Sequence, residues 1–443
     1  MLSHPLSLMR HLVLAVVVAS LTLLTACEKD KAPLPGERVG VMDLEKQLAP
    51  DPSLVGSFVA LPRPVVNANW PEPGGVPSHS MQHPALGPNL KIAWTADIGE
   101  SGSRYGIVLA SPVVVGDTVY VMDARHDVSA FRTSDGSRLW RTNVAPKEDG
   151  RGWGGGVAYD ANHLYVTTGY GEVLSLNPRT GAIEWRVSLP TPTHTAPTVA
   201  DGRIFVITID DRLIVLSTDH GKELWRYEGI PEPARIAGGA SPAVQGDIVV
   251  APFSSGDVIA LRVDNGRVLW TDNLAISGRL DALSTLADIR GRPIIDQDRV
   301  FAVSHSGLTV AIDLRTGERV WSQDVGGSSE PWVAGNFVYV MSSSAQIVCL
   351  TRDKGQIRWI SQLDRYVDPT KPTDSAAINW TGPLLAGNRL VAVSDDQQAW
   401  SVSPYTGTPL GQIKLPAGSF VGPVVANQTL YLLTNDAKLI ALR

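Results

Sequence analysis

From Ser111 onward the chain repeats one short sentence, and that repeat limits the fold more than any other feature. The first copy runs Ser111-Pro112-Val113-Val114-Val115-Gly116-Asp117, then Thr118 to Met122, then Val128 to Phe131, then Asp135-Gly136-Ser137-Arg138-Leu139-Trp140. The turn glycine returns at Gly181, Gly221, Gly266, Gly317, Gly355 and Gly407, at intervals of 38 to 52 residues. Six of these seven glycines are followed four residues later by tryptophan: Trp140, Trp185, Trp225, Trp270, Trp321 and Trp359. In the seventh copy Gly411 stands there instead. Each copy holds four strand-like runs with period-two alternation, separated by tight turns. A single four-stranded sheet cannot bury both of its faces. Copies at this period therefore predict a ring of packed sheets, an all-β propeller whose blades are four-stranded and antiparallel.

The ends of the domain predict how the ring closes. The last copy begins at Gly422-Pro423 and stops at Arg443, with room for three strands and no tryptophan strand. Leu90 to Ala96 is an orphan tryptophan strand around Trp94, with no three strands before it. Supplied as the outer strand of the last sheet, it makes eight blades and removes two open edges. The seven tryptophans, Trp94 included, read as structural wedges between blades, since regular repetition of a large apolar side chain is what packing demands.

The first residues read as an address. Arg10 and His11 precede an uncharged apolar run of 15 residues, Leu12 to Ala26. That is shorter than the roughly 20 residues a membrane-spanning helix needs, and it fits a secretory signal peptide over residues 1–26. The run ends Leu24-Thr25-Ala26-Cys27, which resembles the lipobox of bacterial lipoproteins, so Cys27 is the expected lipid-bearing residue. Residues 27–88 are rich in Pro, Gly and charge and read as a flexible tether, leaving 89–443 as the propeller. Within the tether, the Pro and Gly around His79 and His83 argue against a helical metal pair.

Composition removes several classes. The net charge of −6 and the absence of a basic cluster exclude a nucleic-acid footprint. There are two cysteines, and with Cys27 assigned to lipid, Cys349 has no internal partner and reads as core. No nucleophile elbow, metalloprotease helix, phosphate loop or Cys-x-x-Cys is present. The acidic pairs Asp210-Asp211 and Asp395-Asp396 fall at strand turns, where solvated carboxylates are expected. No catalytic residue, metal or cofactor is expected.

Departures from the repeat mark where function is inserted. The connections 147–156, 228–239, 274–291 and 364–382 break the period, and they mix apolar and charged residues in a way that suits docking.

The Asp-Gly-x-x-x-Trp turns resemble the PQQ-type propeller repeat. Together with the lipobox, the linker and the orphan strand, they make the chain similar to the BamB family, lipoproteins of the machinery (the BAM complex) that inserts β-barrel proteins into the outer membrane. The resemblance implies a non-catalytic scaffold, anchored by lipid to the outer membrane and facing the periplasm; Glu28 after the cysteine favours that sorting. It implies a periplasmic domain of BamA as partner, with unfolded outer membrane proteins as further clients. Family contacts come from two neighbouring loops, here Ala234 to Ala237 and Leu286 to Arg290, so Arg235, Ile236, Asp288 and Arg290 are the expected contacts. Ala234, Ala237 and Arg290 depart from the family pattern. The rival readings are a PQQ-dependent quinoprotein dehydrogenase on the same fold and a scaffold of another envelope complex. The dehydrogenase's adjacent-cysteine disulfide has no counterpart here.

Overall fold

The computed structural model describes residues 48–101, 110–147, 152–232, 238–275, 288–372 and 374–443, and residues 49–443 form one compact unit. The signal-peptide region and Cys27 lie outside the described residues. The regular structure of the described residues is strand, apart from one short 3-10 helix at Pro52–Leu54. Among the described residues no helix is long and apolar enough to cross a membrane.

Thirty-two strands form eight four-stranded antiparallel sheets. In chain order the blades span 113–143, 155–188, 198–228, 243–273, 294–323, 332–362 and 380–414. The eighth is built from 424–442 and closed by Ile92–Asp97. Strands are counted here from the channel outward. The closing strand pairs with Lys438–Leu442, Thr95 opposite Ile440 and Ala96 opposite Leu439, and backbone bonds between Lys91 and Arg443 extend the seam. The orphan strand thus seals the ring.

Burial follows the alternation. Because neighbouring blades cover both of their faces, the second and third strands are almost wholly buried in every blade but the seventh, whose third strand, Gln398–Val402, is half-buried. Outer strands that carry a tryptophan are more buried at alternate positions, one of which is the tryptophan, whereas Pro409–Lys414 of blade 7 is exposed throughout. Each tryptophan lies on the turn glycine of the following blade. A Cβ at Gly136, Gly181, Gly221, Gly266, Gly317, Gly355 or Gly407 would meet the preceding blade's indole at 2.5–2.8 Å. These glycines also have φ between +67° and +76°, so only glycine satisfies both the turn and the close approach. Six of the indoles donate Nε1–H to a carbonyl beside that turn, as from Trp270 to Leu314 at 2.8 Å and from Trp94 to Thr133 at 2.8 Å.

Residues 49–88 differ from a flexible tether: they are packed on the ring. They cross blade 6 and then circle the channel, touching the blades in turn. Asn67 O accepts from Asn427 N of blade 8, and Trp70 exchanges two backbone bonds with Val114 of blade 1. Pro71 O accepts from Tyr159 N of blade 2 and Glu72 Oε1 from Val199 N of blade 3. Pro77 O and Ser78 O accept from Val244 N and Ile295 N of blades 4 and 5. Gln82 meets Trp332 and Gly335 of blade 6, and Pro84 O accepts from Gly387 N of blade 7. Tyr159, Val199, Val244 and Ile295 occupy the same register position as Val114. An innermost strand has no neighbour toward the channel, so its inward N–H groups need another acceptor. Proline-rich backbone supplies one without donating in return.

This belt lies at the end of the channel that carries the turns between first and second strands, where Gly116, Gly335, Gly387 and Asn427 contact it. Buried on it are Trp70 (1% exposed), Glu72, His79 and His83. The two histidines each place Nδ1 against a carbonyl, Pro293 O at 2.8 Å and Pro62 O at 2.7 Å. They are structural pins.

Candidate interaction face

The opposite end of the ring is formed by the turns between second and third strands and by the connections between blades. All four interrupted connections are on it. Residues 233–237 and 276–287 lie outside the described residues, and with them the candidates Arg235 and Ile236. The described flanks come together. A Cβ on Gly238, whose φ is +102°, would lie 3.1 Å from Arg290 Nε, so the Arg290 side chain rests on the end of the neighbouring connection. Asp288 is only 8% exposed. It forms the floor of the cluster, not its rim, and its carbonyl accepts from His305 N at 3.1 Å. Arg290 is partly buried.

The charges of this cluster act on one another. Burial lowers the Arg290 pKa, and the Asp288 carboxylate works against that shift. Burial and then the Arg290 charge hold His305 below the usual histidine range, so it is neutral near pH 7. Asp288 and Asp211 line a recess with Ile289, Phe253 and Gly239 in its walls, and Arg290 follows directly after that lining in the chain. Arg290 brings a planar fork of N–H donors to the place where the two connections meet.

Asp211 departs from its expected solvation. It is 1% exposed, at φ +58°, and ties blade 3 to blade 4 by accepting Ser254 Oγ–H at 2.5 Å and Ser254 N–H at 3.2 Å. The Asp-Asp pair in the sequence carried no sign of this, because the partner serine lies 43 residues away. Asp395 and Asp396 do stand at a turn, with Asp395 capping Asn379.

The two remaining connections add aromatic rings to the same face. Trp153 stacks on His194 with centroids 3.8 Å apart, over Gly154 and Gly169, where a Cβ would clash. Tyr170 packs on Gly152 and lies 4.8 Å from the His126 ring. Farther round, Tyr366 bridges Ala377 to make a small hairpin, and Trp380, 7% exposed, donates to Asp364 O at 2.7 Å. Apart from Val367, 53% exposed, the large apolar side chains of this hairpin pack onto the blade.

Among the described residues no three His, Cys, Asp or Glu side chains are placed to hold a metal ion. Cys349 is fully buried in blade 6, and burial pushes its thiol up, away from the reactive thiolate.

Comparison with known proteins agrees with the geometry. The sequence model of the family described as "Outer membrane protein assembly factor BamB" matches residues 88–152 and 128–361. A protein of Burkholderia pseudomallei named outer membrane protein assembly factor BamB is 27% identical over 350 residues, covering 71% of this chain and 88% of that one. An uncharacterized protein of Rickettsia conorii is 26% identical over 271 residues, 60% of this chain; the match spans just under two thirds of that relative, 66%. Among solved structures, BamB from Moraxella catarrhalis superposes with a TM-score of 0.68 at 19% identity, covering 80% of this chain and all of that one. Quinohemoprotein alcohol dehydrogenase from Comamonas testosteroni shares the fold at a TM-score of 0.64 and 13% identity, covering 85% of this chain and 80% of that one.

Proposed function

The chain belongs to the BamB family of outer membrane protein assembly factors, and from that premise we propose that it is a non-catalytic scaffold of the β-barrel assembly machinery, docking on periplasmic domains of BamA. In this reading residues 1–26 are removed as a signal peptide, Cys27 carries the lipid, and the propeller faces the periplasm from the outer membrane. The observation that carries the docking assignment is the meeting of two off-repeat connections at Gly238 and Arg290, on the end of the ring that the belt leaves open. A rigid ring holds the ends of such loops in fixed places, which suits recognition of a folded partner.

The burial of Asp288 divides the work within the cluster. Arg290 and Ile236 make the contact, and Asp288 holds Arg290 in place. Arg290 stands where the family pattern has an acid, so the matching surface of the partner is expected to carry a carboxylate.

The test is binding of the purified mature chain to the periplasmic region of its own BamA. Arg290→Glu is expected to weaken binding by roughly tenfold or more, as loss of a partly desolvated charge contact does. Ile236→Asp should do the same while the circular dichroism spectrum stays unchanged. Unaltered affinity in both variants would place the contact elsewhere. Dye reduction by the chain with PQQ, Ca²⁺ and an alcohol would replace the scaffold reading with the dehydrogenase.

A further inference from the structure

The stretch leading into the belt carries an apolar strip left exposed by the described residues. Phe58 is 92% exposed, Val55 83%, Val65 67% and Val66 51%. Isolated exposed apolar residues are ordinary, but four within twelve residues on one backbone path are a patch. The strip is held in this presentation. At its start Asp51 N donates to Ile357 O at 2.7 Å, and Gln356 Nε2 donates to Asp51 Oδ2 at 2.9 Å. Midway, Arg358 Nη2 donates to Ser57 O at 2.6 Å. At its end Val65 N donates to His83 O at 2.9 Å. Val59, 7% exposed, and Leu61 point the other way, into the core. Phe58 is therefore turned outward by a backbone fixed on both sides of it.

We propose that this strip is a membrane contact, inserting Phe58 and Val55, with Val65 and Val66 beside them, into the interfacial layer of the lipid bilayer. The proposal rests on the reading of Cys27 as lipidated. The strip is the first described segment after that anchor: residues 28–48 can extend at most about 75 Å at ~3.5 Å per residue, and the strip starts only a few residues later. A bilayer is the one apolar phase that such an anchor holds permanently within reach. The strip runs over the turn-bearing end of blade 6, where Gly335 lies against Ala60 and Pro62. Contact there presents the opposite end, with Arg290, to the periplasmic space. One weak anchor leaves orientation free; a second contact removes that freedom.

The test uses the full mature chain in vesicles of phosphatidylethanolamine and phosphatidylglycerol. An environment-sensitive dye is attached through Phe58→Cys, or through Leu410→Cys on the outer strand of blade 7, 57% exposed; Cys349 is buried and does not compete. The dye at 58 is expected to shift to the blue and to be quenched by lipid-borne quenchers about threefold or more beyond the dye at 410. Equal quenching at both sites would overturn the proposal. A blue shift at 58 that grows with protein concentration and needs no vesicles would overturn it too, in favour of a second copy. The mass of the N-terminal peptide reports separately on the lipid at Cys27. An unlipidated Cys27→Ala chain should still lose vesicle binding, about threefold or more, when Val55 and Phe58 become Asp.

Discussion

His79 gives the seating of the belt a pH signature. It is 3% exposed, its Nδ1–H is committed to Pro293 O, and its Nε2 has no partner among the described residues. Burial, then the nearby Arg292 charge, lowers its pKa from 6.5 to about 4, with Glu330 and the Pro293 carbonyl opposing. In the unfolded chain the ring takes up a proton as pH falls through 6.5, while the folded ring stays neutral until about 4. The unfolded state thus binds more protons in this window, and stability falls with pH. The loss amounts to about 2.5 kcal/mol by pH 4.5, at 1.36 kcal/mol per pKa unit. His79→Asn is the informative variant, because asparagine tolerates the φ of +61° found here and can donate to the same carbonyl. Its level of stability will shift through lost packing, so the slope is what counts. Urea unfolding followed by tryptophan fluorescence at pH 7.5, 6.5, 5.5 and 4.5 should show the variant losing less stability than the wild type, by about 2.5 kcal/mol over the series. Parallel curves for the two proteins would mean that His79 is not buried in the folded state, and that the belt does not close the channel.

Glu72 should give the opposite sign: burial raises its carboxyl well above the usual range, with Val199 N opposing and Asp160 adding to the rise. Glu72→Gln should therefore gain stability relative to wild type as pH rises above 4.5, in the same unfolding series. Trp270→Ala should cost about 3–5 kcal/mol in urea unfolding, since it empties the wedge over Gly317 and orphans the Leu314 carbonyl. Gly411→Trp should lower stability in the same unfolding assay and not restore a wedge, because the φ of +158° is one that L side chains rarely adopt and no turn glycine faces the site. The Cys349 thiol should react with a disulfide reagent on the order of a thousandfold more slowly in the native chain than in urea.

The ring was legible from the sequence because its joints are side-chain events that repeat. A glycine with positive φ and a tryptophan four residues later recur wherever one blade must lie on the next. The closing strand was legible from the same rule, as a Trp94 strand with no blade of its own. The belt was not legible. The contact it repeats at blades 1, 2, 4, 5 and 7 is a backbone carbonyl, of Trp70, Pro71, Pro77, Ser78 and Pro84. A carbonyl is available at every residue, so it leaves no pattern in the sequence, and proline-rich composition reads as a spacer whether it is free or docked. The candidate face was legible only as places where the period breaks. The break marks an insertion but not which side chains stay outside, and so Asp288 was expected at the rim and lies in the floor. Asp211 was hidden for a related reason: a buried carboxylate is recognised by its partner, and Ser254 belongs to another blade.

The missing eighth wedge follows from the way the ring closes. A tryptophan needs a turn between the third and outer strands of the next blade to lie on. In blade 8 those strands are the C-terminal strand and Ile92–Asp97, which no turn connects, because they come from opposite ends of the chain. A tryptophan at 411 would have nothing beneath it, and the outer strand Pro409–Lys414 is exposed along its whole length. The joint between blades 7 and 8 must therefore be held from inside. One apolar cluster runs through blades 6, 7, 8 and 1, and it takes in Val59, Trp70 and Leu86 from the stretch before the first blade. Asn67 and Pro84, at the two ends of the belt, are tied to blades 8 and 7 on either side of that joint. The belt lines one end of the channel and also bridges the interface that the repeat could not wedge, so its removal should open the ring between blades 7 and 8 before any other joint.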